Sequence, residues 1–422
     1  MNSSTIIDKK NSFAGIILDI FTAVLLALTF IPQLRIFSFY NYLQLFVGSS
    51  WFVVAFISNH SFFLSRNGYL WKSTLCILIM MLIPFLFSNQ TMVNRAANIA
   101  VVFIYYWIYN YNSTYRGITS NLRVIIISLP MILYTTINTI RELLVNPYAS
   151  RSIKTTVNET GDLALSGIGG YGLVYSVVII VFILIPIIFE RKKLGINFWG
   201  VSVIIGLIML FIYLVILSNF FTALLLVMAG VISMILLYRS KSMLFLIVPF
   251  TLAYLPLQKD INMAVIDTIC DFSQENGKTY LRLQEIKSEI LLGGNTESVD
   301  SRSDVTKTTI DLFSEYPILG YIAGAGEEFN LQRVGQHSTV LDAFAMYGIF
   351  IGSFFLWVMW LPFKYCLSRR ISYRMNVFSW IVGGSFIVLI TANNITPSIG
   401  YAAFFVFPTI FDYINKKIYE QK

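Results

Sequence analysis

Long runs of apolar residues, each about as long as a bilayer is thick, alternate with short polar turns along most of this chain. A helix that crosses the hydrocarbon core needs ~20 mostly apolar residues. The pattern predicts twelve such helices, at 13–31, 36–57, 69–87, 96–111, 122–141, 172–189, 198–217, 220–238, 243–257, 337–362, 376–392 and 400–414. The predicted fold class is therefore all-α, a polytopic integral membrane helix bundle of about twelve spans.

Composition supports the same class. Of the 422 residues, 56% are hydrophobic and 12% are charged, and the mean hydropathy is +0.71, whereas about a quarter of the residues in soluble domains are charged. The three cysteines, Cys76, Cys270 and Cys366, are widely separated and form no CxxC pair, so we infer neither a disulfide nor a metal site. Because the net charge of +8 belongs to a membrane protein, it bears on topology and does not indicate nucleic acid as a partner.

Basic residues are distributed unevenly between the two sides of the predicted bundle. If the N-terminus is cytoplasmic, 18 of the 30 Lys and Arg residues lie inside, and seven of the other twelve belong to one long loop. The positive-inside rule barely applies to long loops, so the fair comparison is 18 inside against five outside. We therefore expect both termini in the cytoplasm, and the loops 142–171 and 258–336 on the outer side.

The loop 258–336 separates spans 1–9 (residues 1–257) from spans 10–12 (residues 337–422). It has 79 residues, holds 13 of the 22 acids and carries a net charge of −6, so we expect a folded, partly helical unit facing solvent. Apolar spacing predicts an amphipathic helix over 278–292. A second helix is expected to begin at Ser303 or Asp304 and to stop before Pro317, which puts Arg302 at its N-terminus. In the other outer loop, the glycine-rich run 167–172 indicates a flexible connection.

The stretch 301–352 contains several short motifs in a suggestive order. Ser301-Arg302 is followed by Tyr316-Pro317-Ile318-Leu319-Gly320, Gly324-Ala325-Gly326, His337-Ser338-Thr339-Val340-Leu341 and Tyr347-Gly348-Ile349-Phe350-Ile351-Gly352. This order resembles the order of the motifs in the O-antigen polymerase and ligase superfamily, of the Wzy and WaaL type. Ser338 and Tyr316 stand where that family often has Asn. Many members carry an SR pair in the outer turn that enters a middle helix. The matching stretch of this chain has no Arg: it is Ser218-Asn219-Phe220-Phe221-Thr222-Ala223-Leu224.

The resemblance implies a bacterial polysaccharide polymerase with a GT-C-like fold in the inner membrane. Such an enzyme transfers a growing glycan from undecaprenyl diphosphate to the next lipid-linked repeat unit on the periplasmic face, without metal or cofactor. Its partners would be the lipid-linked donor and acceptor, the bilayer and a chain-length regulator protein. The same motifs fit an O-antigen ligase that delivers the glycan to a lipid A-core acceptor. A twelve-helix lipid-sugar flippase is the alternative from a different class.

The resemblance points to His337 and Arg302 as the catalytic pair. A guanidinium stays charged and presents a planar fork to phosphate oxygens, and an imidazole can accept the proton of an attacking sugar hydroxyl. We expect alanine at either position to abolish or reduce polymerisation, and lysine in place of Arg302 also to impair it. Further substrate-binding candidates are Arg333, Glu327, Glu328, Arg151 and Arg141, the arginines as replacements for the absent second Arg. Asp342 is a weaker candidate, because it lies ~140° around the predicted helix from His337.

Overall fold

The computed structural model is built from α-helices, and no strand occurs in the part of the chain that it describes. The described residues are 13–37, 39–62, 69–86, 90–146, 149–152, 165–218, 220–239, 297–321, 338–369 and 372–419, with isolated positions between 267 and 287. Within these ranges the helices are α1 Phe13–Phe30, α2 Tyr40–Ser58, α3 Tyr69–Leu86, α4 Gln90–Tyr111, α5 Ile118–Val145, α6 Ala149–Ser152, α7 Tyr171–Phe189, α8 Arg191–Leu194, α9 Phe198–Leu217, α10 Phe221–Arg239, α11 Glu297–Glu315, α12 Thr339–Ser368, α13 Tyr373–Ala392, α14 Pro397–Gly400 and α15 Phe407–Tyr419. Short 3₁₀ turns at Pro32–Ile36 and His60–Phe62 and π-turns at Asn112–Arg116 and Tyr401–Val406 connect some of them.

Eight of the described helices are long and apolar enough to cross a membrane: α1, α2, α3, α5, α7, α9, α12 and α13. This confirms the coarse prediction, an all-α multi-pass membrane protein. Eleven of the twelve predicted spans correspond to described helices, with ends that differ by a few residues, and within α10 the apolar stretch is Thr222–Tyr238. The predicted span 243–257 lies outside the described residues.

The centre of the bundle is formed by α4 and α7. Fourteen of the 19 residues of α7 are buried, as expected for a helix that is apolar all round. α4 carries several tyrosines and is nevertheless buried from residue 100 onward, because α2, α3 and the π-turn Tyr401–Val406 pack around it. Its polar groups find partners inside the bundle: Trp107 Nε1 donates to Ser73 Oγ over 2.7 Å, and the Tyr105 hydroxyl pairs with Thr29. Such pairing is needed where water is excluded.

Loops that were predicted to lie on the same side of the membrane meet at the same end of the bundle. At one end, the turn after α1 and the segment 165–170 before α7 are close together, since a Cβ on Gly167 would lie 2.6 Å from Gln33 Nε2. At the other end, Arg374 Nη1 lies 3.1 Å from Glu190 Oε1, and Arg369 Nη1 lies 2.5 Å from Asp412 Oδ1. We call the first the cavity end, because a polar cavity opens there, and the second the basic end.

Two local predictions are wrong. The helix expected to begin at Ser303 or Asp304 already includes Glu297, so Arg302 lies within the helix and not at its N-terminus. The run 167–172 is not a flexible connection: Ile168 is 1% exposed, and Gly169 N donates to Thr139 Oγ1 over 2.8 Å. Glycine there permits close packing.

The predicted continuous span 337–362 also needs correction, because α12 bends at Gly348. The φ of 68° and ψ of −177° at Gly348 are not helical and are accessible essentially only to glycine. The carbonyl oxygen of Ala343 lies 2.7 Å from where a Cβ on Gly352 would stand, so the first arm of α12 (residues 339–347) folds against the second arm (349–368). At 1.5 Å per residue, the nine residues of the first arm rise only ~13 Å. They are too short to cross a bilayer.

The turn after α11 passes backbone to backbone against this bend. A Cβ on Gly348 would lie closer than 3.0 Å to Ile318 backbone atoms, and a Cβ on Gly320 would lie equally close to the backbone of Met346. Gly320 itself has a φ of 72°, and Ile349 N donates to the Pro317 carbonyl over 2.9 Å. Two of the glycines in the sequence motifs thus make one close backbone crossing that tethers α11 to α12.

Alanine at Gly348 is expected to lower the free energy of unfolding by at least ~3 kcal/mol, because both the backbone angles and the adjacent Ile318 backbone exclude a Cβ. Thermal unfolding of the purified protein in detergent measures the effect. The control is Gly384→Ala in α13, where a Cβ meets open space and the melting temperature should stay unchanged or rise. Equal melting temperatures for Gly348→Ala and the wild type would contradict the bend.

Glu190, at the basic end, is 2% exposed and binds Lys193 Nζ at 2.7 Å and Arg374 Nη1 at 3.1 Å. Burial alone would raise the pKa of this carboxyl, but the hydrogen bonds and charges of Lys193 and Arg374 outweigh it and hold the pKa below its ordinary value. A lowered folded-state pKa gives stability that is present above the unfolded pKa of about 4.3 and lost as the pH falls through the folded value.

Glu190→Gln is therefore expected to destabilise the protein at pH 7 by on the order of 1–2 kcal/mol, less than for a fully buried pair because both cations remain half exposed. The difference from the wild type should shrink below about pH 4. Thermal unfolding at both pH values tests this, with the exposed Glu315→Gln as the control. A difference that is independent of pH would refute the ion-pair explanation.

Candidate functional site

A polar cavity of about 370 Å³ opens at the cavity end of the bundle, within the size range typical of ligand pockets. Its walls come from the end of α1, the 3₁₀ turn after it, and the beginnings of α2, α7, α12 and α14. The lining residues are Thr29, Arg35, Tyr40, Asn41, Gln44, Ile99, Tyr171, Thr339, Asp342, Met346, Asn394, Ile395, Thr396, Pro397 and Ser398. Most of them are hydroxyl or amide side chains, which suit a ligand rich in hydrogen-bonding groups.

Arg35 supplies the positive charge of one wall. It follows Pro32 in the 3₁₀ turn, and its Nη2 donates to the carbonyl oxygen of Thr29 over 3.3 Å. The wall behind it is held by Tyr40, whose hydroxyl donates to the Leu28 carbonyl over 2.5 Å and accepts from Gln44 Nε2 over 2.7 Å. The guanidinium remains exposed on the cavity side, where it can bind an anion.

The opposite wall is the first arm of α12, which is attached to the loop after α13. Ser338 caps the arm by accepting from Leu341 N over 3.1 Å. Thr339 N donates to the Asn393 carbonyl over 3.2 Å, and Thr339 Oγ1 accepts from Ile395 N over 2.7 Å. These bonds fix the position of Asp342, one turn further along the arm, whose side chain lines the cavity and is 4% exposed.

Four helices present their first turns to the cavity. Its lining includes the first helical residues of α2, α7, α12 and α14, which are Tyr40, Tyr171, Thr339 and Pro397. α14 continues through the π-turn into α15, so its axis is long. Each helix N-terminus carries a partial positive charge. Together with Arg35, on the wall opposite Asp342, these charges make the Arg35 side of the cavity a favourable place for an anion.

The structure describes only some of the residues that the sequence predicts for the site. His337, Arg333, Glu327 and Glu328 lie outside the described residues. In the sequence, His337 directly precedes Ser338, the N-cap of the arm that forms one wall of the cavity.

For Arg302 and Arg151 only the helical backbone is described, in α11 and α6. Arg141 is exposed near the C-terminal end of α5 and does not line the cavity.

Sequence reasoning missed Arg35 and undervalued Asp342. Arg35 is one of only five basic residues assigned to short outer segments, and that assignment could have singled it out as the replacement for the absent second Arg. Asp342 was set aside because of its angle to His337, yet Thr339 and Asp342, three residues apart, share the face that lines the cavity. Among the described residues, no three His, Cys, Asp or Glu side chains come together as a set of metal ligands.

The fold and the cavity define a class, an all-α multi-pass membrane protein with a polar site at one end of the bundle. Comparison of the sequence with protein-family models and with characterised proteins finds no match. The site must therefore be interpreted from its own geometry and chemistry.

Proposed function

We propose that this protein is a bacterial polysaccharide polymerase of the inner membrane. It would have about twelve spans in a GT-C-like arrangement, with both termini in the cytoplasm and the active site facing the periplasm. It would transfer a growing glycan from undecaprenyl diphosphate to the next lipid-linked repeat unit. The observation that carries the proposal is the polar cavity, which combines Arg35, Asp342 and four helix N-termini.

The electrostatics of the cavity suit the leaving group of this reaction. When the sugar leaves a lipid diphosphate, negative charge grows on the phosphate oxygens, and preorganised donors stabilise it. Arg35 offers the planar fork that phosphate oxygens accept, and it takes the role of the Arg that is absent near Ser218-Asn219. The cavity is lined by segments that the charge distribution assigns to the outer side, where the lipid-linked glycan is presented.

In the proposed reaction, an acceptor sugar hydroxyl attacks the anomeric carbon of the donor. The new glycosidic bond forms as the bond from that carbon to the diphosphate oxygen breaks, and the lipid diphosphate leaves as an anion beside Arg35. The hydroxyl proton passes to His337. Asp342 accepts a hydrogen bond from the acceptor sugar and so orients it, a positional contribution that can be large. The hydroxyl and amide side chains of the lining bind the remaining sugar groups.

Reconstitution with purified lipid-linked repeat units tests the proposal directly. The protein in liposomes, without nucleotide sugar, should produce a ladder of glycans that differ by one repeat unit. A single transfer to a lipid A-core acceptor would assign it as a ligase instead. Movement of labelled lipid-linked sugar across the bilayer with no new glycosidic bond would assign it as a flippase and reject the enzymatic reading.

A further inference from the structure

An apolar groove lies on the other side of the first arm of α12, between this arm and α11. It has a volume of about 320 Å³ and is lined by Thr309, Ile310, Phe313, Leu341, Phe344 and Ile349. The only polar residue in that lining is Thr309, which is 3% exposed. An open groove of this size and polarity is suited to a hydrocarbon chain.

The groove and the polar cavity share one wall. In the first arm, Thr339, Asp342 and Met346 follow one another at intervals of three and four residues and line the cavity. Leu341 and Phe344 are three residues apart and line the groove. Residues three or four apart share a helix face, so the arm has one face for polar groups and one for apolar groups. A ligand with an anionic head and an apolar tail could occupy both sides of it.

The rim of the groove is apolar as well. Ile310 on α11 is 49% exposed and Ile349 on α12 is 47% exposed, and Phe350, Ile318 and Leu319 continue this surface around the bend. Asp311 and Glu315 of α11 are exposed to solvent instead. A helix with one apolar and one charged side is typical of the membrane interface, so the groove lies where a lipid tail can enter it.

We infer that this groove binds the isoprenoid units nearest the phosphates of a polyprenyl diphosphate. This inference rests on the proposed function, because it places the anionic head of the same lipid in the adjoining cavity. The favourable position for an anion on one side of the arm and the apolar groove on the other match the two halves of that ligand. The bend at Gly348 and the crossing at Gly320 fix the distance between them.

Site-specific photocrosslinking tests the occupant without requiring catalysis. The full-length protein with p-benzoylphenylalanine in place of Ile310 is reconstituted in phospholipid liposomes containing radiolabelled undecaprenyl diphosphate without sugar, and irradiated. We expect labelling that excess unlabelled undecaprenyl diphosphate removes. The control places the same photoreactive residue at Val388, which is 48% exposed on α13 and far along the chain from the groove; its labelling should be weak and unaffected by the competitor.

Three results would overturn the inference. They are equal labelling at positions 310 and 388, a phospholipid adduct at 310 that undecaprenyl diphosphate does not displace, and an intrachain adduct between position 310 and residues 278–292. The last result would mean that the predicted amphipathic helix covers the groove.

A substitution provides a second and independent measurement. Ile310→Asp places a charge in the groove, and the KM for a donor with the undecaprenyl tail should rise about tenfold or more, while kcat and the KM for a donor with a methyl group in place of the isoprenoid chain stay unchanged. The control is Leu165→Asp, which places the same charge at a residue that is 60% exposed and outside the linings of both the groove and the cavity. Equal KM changes for both donors would refute the groove while leaving the proposed function intact. Competed labelling at position 310, together with a wild-type protein that forms no glycan, would support the groove and reject the polymerase.

Discussion

Replacing His337 with alanine is expected to lower the rate of glycan polymerisation by about 10²- to 10⁴-fold, the usual effect of removing a general base. The proposal assigns the proton of the acceptor hydroxyl to this imidazole, which directly precedes Ser338, the N-cap of α12, in the sequence. Initial rates of ladder formation in liposomes, with undecaprenyl-linked repeat units as donor and acceptor, measure the effect. Binding of undecaprenyl diphosphate should remain close to that of the wild type.

The matched control is His60→Ala, which removes the other histidine of the chain. His60 lies in the 3₁₀ turn after α2, at the basic end, where its ring is 5.5 Å from that of Phe56. Polymerisation by this variant should equal that of the wild type. If His337→Ala retains full activity in a protein that inserts and folds normally, His337 is not the base, and Asp342 becomes the group to test, by Asp342→Asn.

Alanine in place of Arg35 is expected to lower polymerisation roughly 10- to 150-fold, because charge-assisted hydrogen bonds contribute ~1.5–3 kcal/mol each. The loss should appear both in the rate and in the affinity for undecaprenyl diphosphate, since the guanidinium is proposed to bind the phosphates before and during transfer. Arg35→Lys should restore only part of the activity, because an ammonium is a point charge without the planar fork. Steady-state kinetics and equilibrium binding with the three proteins check this.

Arg141→Ala is the control for Arg35. Arg141 carries the same charge at the cavity end of α5, but it is exposed and outside the cavity lining. If the cavity binds the phosphates, Arg141→Ala should behave like the wild type. An equal loss in the two alanine variants would instead indicate a diffuse effect of positive charge, and the cavity would lose its assignment.

Apolar run length was enough to predict the membrane class and to locate most of the helices, because a helix in lipid must satisfy its backbone internally and be apolar where it meets the bilayer. One of these helices, α4, carries Tyr105, Tyr106 and Tyr109 in its predicted span. The structure surrounds it with other helices, so its environment is protein and its hydroxyl groups are shielded from lipid. Sequence alone could not show that burial.

The candidate site was only partly predictable. The motif order pointed to the stretch 301–352, of which Thr339, Asp342 and Met346 line the polar cavity, while His337 lies outside the described residues. Arg35 lies about 300 positions away in the sequence, and no local pattern connects it to α12. The sequence also did not predict the bend at Gly348, because the apolar residues on both sides of it are typical of one continuous helix.

The sequence by itself determined the all-α membrane class, the approximate positions of the helices and the uneven charge of the two sides, since each depends on local composition and spacing. The tertiary structure alone decided that Arg35, Asp342 and four helix N-termini meet at one cavity, and that the first arm of α12 separates this cavity from an apolar groove. The physical reason is that such meetings depend on how distant helices pack and on the steric room at Gly320 and Gly348, neither of which is encoded within a short window of the chain.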